Sequence, residues 1–176
     1  MSIDGLAAQL KALNLFGMAT ALAEIRAESP RLTLTPDACL HRLIVAEIAA
    51  RHARSLRYQL TIAKFPIHRD LVGFDWQESP LPQAQVQQLA SAAFMEEAHN
   101  LILVGGTGSG KTHLATAIGV AAIHTGKRIR FYNAVDLVNL LEREKLAGKT
   151  GSLARKLIQA DAVIVDELGY LPFPES

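Results

Sequence analysis

The run Gly105-Gly106-Thr107-Gly108-Ser109-Gly110-Lys111-Thr112 constrains this chain more than any other stretch of it. A glycine, four residues, then Gly-Lys-Thr is the phosphate-loop pattern, and it carries a mechanism only where a strand enters and a helix leaves. Both flanks read that way. Leu101-Ile102-Leu103-Val104 is a short continuous apolar run, as a strand buried on both faces requires. Helical spacing resumes from Lys111 to His124. Glycines let the backbone curl so that its N–H groups point inward at phosphate oxygens, and the helix N-terminus adds its partial positive charge. The loop is therefore expected to bind ATP through residues 105–112, with Lys111 reaching the β and γ phosphates and the Thr112 hydroxyl ligating Mg2+. His113 is counted with the nucleotide-binding run, although packing or capping is the commoner role for a histidine in that place.

A second chemical feature lies about fifty residues on. Ala162-Val163-Ile164-Val165 reads as a buried strand that delivers Asp166 and Glu167 at its C-terminal end, where an α/β sheet presents residues to ligands. Asp166 is expected to hold Mg2+, usually through a water, and Glu167 to orient or deprotonate an attacking water. Lys111 and Glu167 are thus the catalytic candidates, and Thr112 and Asp166 the metal-holding pair. The other histidines, His41, His52, His68, His99 and His124, form no metal-ligand pattern. Phe74 and Trp76 could flank an adenine ring, but linker aromatics more often fill a hydrophobic groove.

The rest of the pattern fixes the fold class. Leu6, Leu10 and Leu13, then Met18, Leu22 and Ile25, mark two short amphipathic helices, with Gly17 read as the punctuation between the two runs and Ser29-Pro30 as the end of the second. Thr35-Pro36 opens a third helix that runs to about Tyr58 or beyond, with Leu40, Leu43, Ile44, Ile48, Leu56 and Leu60 on its apolar face. Gln83 to Ala98 reads as one helix, Arg128 to Tyr132 as a strand, and Asn133 as the cap of the helix after it. A further helix runs from the loop around residues 148–151 to Ala160. The order β-α-β-α-β predicts an α/β P-loop NTPase layer with a parallel sheet and crossover helices, preceded by a small all-helical region. The expected division is residues 1–64 helical, 65–82 linker and 83–176 nucleotide-binding.

Composition narrows the setting. The 176 residues are 49% hydrophobic and 20% charged, which suits a packed core rather than a disordered chain. The net charge of +1 supplies no global field toward nucleic acid, so such binding must rest on a local patch. Residues 1–64 hold eight Lys or Arg against five Asp or Glu, with Arg42, Arg51, Arg54, Arg57 and Lys64 late in the stretch. The single cysteine, Cys39, excludes an internal disulfide. The start of the chain lacks a signal-peptide pattern, and the longest apolar stretch is about half a membrane span, so a cytoplasmic protein is expected.

Gly105 to Ala115, together with Val165-Asp166-Glu167-Leu168-Gly169-Tyr170-Leu171-Pro172, closely resembles the IstB-like helper ATPases of bacterial insertion sequences. These are AAA+ proteins related to the DnaC-type helicase loaders. The opening run Lys11 to Met18, Ala63-Lys64-Phe65-Pro66 and Phe74-Asp75-Trp76 also look like that family's N-terminal region. The resemblance implies a protein that binds ATP, assembles as a homo-oligomer on double-stranded DNA and directs or activates the transposase of the same element. It makes Arg51, Arg54 and Arg57 candidates for phosphate contacts with DNA, where each would add salt-dependent, sequence-independent affinity. A helicase loader in replication and a non-catalytic module that only binds DNA or a partner are the competing implications.

The resemblance also sets expectations about what is missing. Ser176 lies ten residues past Asp166, and the family's sensor residues, arginine finger and remaining AAA+ core come later in its sequences. In the AAA+ order the next strand inserts between the P-loop strand and the acidic strand. Without it, either Leu101–Val104 pairs directly with Ala162–Val165 or a gap leaves apolar strand edges exposed, and a truncated product of low stability is expected.

Overall fold

Leucine spacing at the start of the chain becomes two helices, α1 (Ile3–Ala12) and α2 (Phe16–Glu28), and Thr35-Pro36 opens the long α3 (Pro36–Ala63). The computed structural model describes residues 3–28, 34–74, 76, 81–148 and 151–170. Pro30 as the end of α2, Asp75 of the Phe-Asp-Trp group, Leu171-Pro172 and Ser176 lie outside the described residues. The chain divides into two compact units, residues 1–57 and 58–176.

In the first unit the turn between α1 and α2 is made by Asn14, whose φ of 59° lies in the left-handed region that asparagine tolerates. Gly17 is not that turn. It sits inside α2 because an added Cβ would meet Ala46 O at 2.5 Å and Glu47 Cα at 2.7 Å on α3. The same approach lets the buried Glu47 carboxylate accept hydrogen bonds from Gly17 N at 2.7 Å and Met18 N at 3.2 Å, two of the open N–H groups at the start of α2. Arg51 Nε donates to the other Glu47 oxygen at 2.8 Å. That bond, helped by the two amides, holds the carboxyl below its ordinary value against the opposing effect of burial. Thr35 caps α3 as its position predicts, Oγ1 accepting from Ala38 N. The apolar face of α3 is exposed at Leu40, Ile44 and Ile48.

The second unit is built around α6 (Lys111–His124). Leu114, Thr116, Ala117, Ile118, Val120, Ala122 and Ile123 are all buried, so the helix is enclosed on most of its circumference, as a helix apolar all round must be. One side meets a two-stranded parallel sheet, β1 (Ile129–Asn133) beside β2 (Ala162–Asp166), in register Ile129↔Ala162 through Asn133↔Asp166. Gly119 allows that approach, since a Cβ there would meet Ile164 Cδ1 at 2.8 Å. The other side packs Leu114 and Ile118 on Val86 of α4 (Gln83–Ala90), with Leu71, Phe74, Trp76, Leu89, Phe94 and Leu103 around them. The linker aromatics thus fill a hydrophobic groove. Arg128 fixes the entry to the sheet: its N, Nε and Nη2 all donate to the Asp161 carboxylate, at 2.7 to 3.1 Å.

Two expectations differ from what forms. Gln83 to Ala98 is not one helix: Ala92, at φ 61°, separates α4 from the single turn α5 (Ala93–Glu96). Leu101–Val104 is not a strand. It has no ladder partner among the described residues, and Ile102 and Val104 are 81% and 90% exposed. β2 pairs with β1 instead, so of the two arrangements expected for this edge, the open one forms. The described sheet therefore has two strands rather than three. After β1, the chain continues as α7 (Ala134–Leu146), α8 (Ser152–Ile158) and, after β2, a single 3₁₀ turn at Leu168–Tyr170.

Candidate nucleotide site

The loop of residues 105–112 joins the 101–104 segment, exposed except at Leu103, to the buried helix α6. Its bends are made at Gly108 and Gly110, at φ of 75° and 81°, conformations that a side chain would strain. Gly110 is the N-cap of α6, and Leu114 N donates back to its carbonyl at 2.8 Å. The first-turn amides of a 14-residue helix thus open onto the loop.

Lys111 lies across that loop. Its ammonium donates to Gly105 O at 3.0 Å, Gly106 O at 2.7 Å and Ser109 Oγ at 3.4 Å, which occupies all three of its N–H bonds. To bind a phosphate it exchanges neutral carbonyl acceptors for anionic oxygens, a gain in charge-assisted bonding. Thr107 and Ser109 complete the rim between the glycines.

The acidic strand arrives at the same place. Thr112 Oγ1 donates to Asp166 Oδ2 at 2.7 Å across 54 residues of sequence. A hydroxyl and a carboxylate side by side are hard oxygen donors, which suits Mg2+ held partly through waters. β2 ends there: Glu167 takes φ 60°, unusual for a residue with a side chain, and its N–H donates to Asp166 Oδ1 at 3.0 Å. Its carboxylate Oε2 accepts a short hydrogen bond from Asn133 Nδ2. Asn133 is the register partner of Asp166, and its Oδ1 meanwhile caps α7 by accepting from Val135 N at 2.9 Å. Sequence reasoning recognised the cap but missed the contact with Glu167. A parallel register brings both strand ends to one edge, and that was the available signal.

His113 lines a cavity of about 110 Å3 together with His68, Arg69, Asp70 and Gly73. Its ring meets Phe74 edge-on at 5.1 Å, while its Nε2 is buried without a hydrogen-bond partner among the described residues. Phe74 in turn stacks at a tilt on Trp76, centroids 4.8 Å apart. Of the three arginines read as DNA contacts, Arg51 is bonded to Glu47 and Arg54 lies 5.0 Å over the Phe16 ring. Arg57, like both of these, is exposed.

The family of the chain is decided by comparison. The model of the IstB-like ATP binding protein family matches residues 8–176. The chain belongs to that family. A protein of insertion sequence IS5376 from Geobacillus stearothermophilus, named for ATP binding, is 35% identical over 133 residues, 75% of this chain and 53% of the relative. Its counterpart in IS21 of Pseudomonas aeruginosa is 37% identical over 69% of this chain and 46% of the relative. That in IS232 of Bacillus thuringiensis subsp. berliner is 30% identical over 97% and 69%. The chain spans about half the length of the first two. The family is described as one of ATP-binding proteins, and this chain shares its α/β fold and its phosphate-loop pattern at residues 105–112. No helix among the described residues is long and apolar enough to cross a membrane.

Proposed function

We propose that this IstB-like chain carries the nucleotide-binding part of an ATP-hydrolysing helper for insertion-sequence transposition, one that works on double-stranded DNA as a homo-oligomer and directs the element's transposase. The observation that carries the reading is the 2.7 Å bond between Thr112 Oγ1 and Asp166 Oδ2, which joins the phosphate loop to the acidic strand. The relatives' names attach ATP binding to mobile DNA elements, which supports the client as well as the ligand. Such work belongs in the cytoplasm.

Each residue then has a defined task. The glycine-loop amides and the α6 N-terminus receive the phosphates, and Lys111 turns from Gly105 O and Gly106 O to the terminal ones. Mg2+, when bound, would offset phosphate charge, and Thr112 and Asp166 are the residues that would hold it. Glu167, steadied through Oε2 by Asn133, orients a water and accepts its proton as that water attacks the γ-phosphorus, the bond to the β–γ bridging oxygen breaks and ADP leaves. Turnover measured with duplex DNA present tests this directly. Glu167→Gln should lower kcat by about 10²-fold or more, the usual worth of a general base, and leave ATP-analogue affinity near that of the native protein. Equal rates for the two proteins reject hydrolysis by this site.

A further inference from the structure

The first unit has a hollow on one side of α3 and a bare apolar ridge on another. α2 and α3 come closest at Gly17, and the two helices line a groove of about 270 Å3. Gly17 and Ala21 of α2 and Ala46 and Ala50 of α3 face it, two pairs spaced four apart whose small side chains leave the depression unfilled. Phe16 and Glu24 line it at the two ends of the α2 stretch. The Arg54 guanidinium lies 5.0 Å over the Phe16 ring, and Glu24 is exposed.

The ridge is Leu40, Ile44 and Ile48, also spaced four apart and 54%, 41% and 63% exposed. With 3.6 residues to a turn, it lies on the side of α3 away from Ala46 and Ala50, so it cannot reach the groove of its own chain. Large side chains on a row spaced by four fit between the corresponding rows of another helix, the commonest way helices pack. Leu40 to Ile48 and Phe16 to Glu24 are each eight residues, about 12 Å of helix, so ridge and groove match in length. Their charges match at both ends. Asp37 stands a turn before the ridge and Arg51 and His52 a turn after it, all exposed, whereas the groove runs from Arg54 over Phe16 to Glu24. A second α3 laid with its N-terminus at the Phe16 end brings Asp37 to Arg54, and Arg51 with His52 to Glu24.

We propose that the Leu40–Ile44–Ile48 ridge of one chain docks in the α2–α3 groove of a second copy, head to tail; this rests on the reading of the protein as a homo-oligomer and assigns the surfaces that join its copies. Groove and ridge are different patches, so each docked copy leaves one of each open. Further copies then add in the same direction, as a heterologous contact requires. One ridge in one groove is a small contact, and on its own it makes a weak association.

The test is sedimentation equilibrium on the full chain, without nucleotide or DNA, up to the highest soluble concentration. The native mass should rise with concentration past twice the 19.1 kDa of one chain. I44E/I48E on the ridge and T20F, whose ring occupies the groove, should each keep native helix content by circular dichroism and stay at the mass of one chain. Mixed, these two variants should form a one-to-one pair and nothing larger, because each supplies the surface that the other lacks. If T20F does not fold, E24R mixed with I44E/I48E should give the same pair. A native chain that stays monomeric overturns the proposal together with the homo-oligomer reading, and leaves the ridge to a different protein. T20F that associates as the native chain does overturns the proposal alone, since the ridge would then pair with itself. A mixture that stays monomeric does the same, and so does I44E/I48E that still associates. None of these outcomes bears on ATP binding.

Discussion

Asn133 serves two elements with one side chain. Its Oδ1 starts α7 and its Nδ2 steadies the Glu167 carboxylate, so the catalytic candidate is tied to a helix terminus as well as to its own strand. The two roles separate by substitution. Asn133→Ser keeps an oxygen able to cap, so stability should change by only a few tenths of a kcal/mol, whereas Asn133→Ala should cost about 1 kcal/mol. Both remove the Nδ2 amide that reaches Glu167, and the shorter serine side chain is occupied at the cap. DNA-stimulated ATP turnover should therefore fall in both, by about tenfold or more but less than in Glu167→Gln, because the base is still present and only its placement is lost. Thermal melts and turnover on the same preparations check this, and a serine variant with native turnover would show that the contact has no part in catalysis. His113 teaches the opposite lesson about neighbours in sequence. It follows Thr112 directly, yet its ring packs edge-on against Phe74, which stacks on Trp76.

At the scale of elements, the strongest local constraints are close approaches and charged ties. Gly17→Ala forces a methyl to within 2.8 Å of three atoms of α3, two of them backbone. It should destabilise the first unit by about 1 to 3 kcal/mol, read as a lower denaturant midpoint at unchanged slope; a native midpoint would mean that the two helices part easily. Arg128 holds Asp161 at the head of both strands, and its guanidinium bonds pull that carboxyl from 3.8 to about 2. A carboxyl depressed by folding stabilises the protein above its unfolded value and loses that contribution as pH falls toward the folded one. The melting-temperature gap between the native chain and Asp161→Asn should accordingly be constant above about pH 4 and close toward pH 2. A gap independent of pH would mean that the ion pair contributes nothing. Much of this level was legible in the sequence: the Thr35 cap, the run of α6, the two strands and the Asn133 cap all follow from local pattern. The break at Ala92 was not, because Ser91-Ala92-Ala93 has neither glycine nor proline to announce a left-handed residue. Leu101–Val104 misled for a deeper reason. Apolar composition can nominate a strand, but only a partner makes one, and pairing is not a property of four residues.

Across the whole molecule, the site needs two segments that sequence analysis could name but not join. The loop at 105–112 and the acids at 166–167 meet because α6 packs on β1 and β2, with Gly119 against Ile164 and the strands in fixed register. The Thr112–Asp166 bond is the outcome of that packing. The same architecture leaves Ile102 and Val104 uncovered beside the loop, in a chain that spans about half the length of its relatives from IS5376 and IS21. The central claim is that this chain binds ATP through the phosphate loop, with Lys111 as the residue that engages the terminal phosphates. Titrating a fluorescent ATP analogue with Mg2+ against the native chain and Lys111→Ala measures it. Charge-assisted bonds to phosphate are worth about 1.5 to 3 kcal/mol, so the variant should bind about 10- to 100-fold more weakly. Equal affinity for the two proteins would contradict the account.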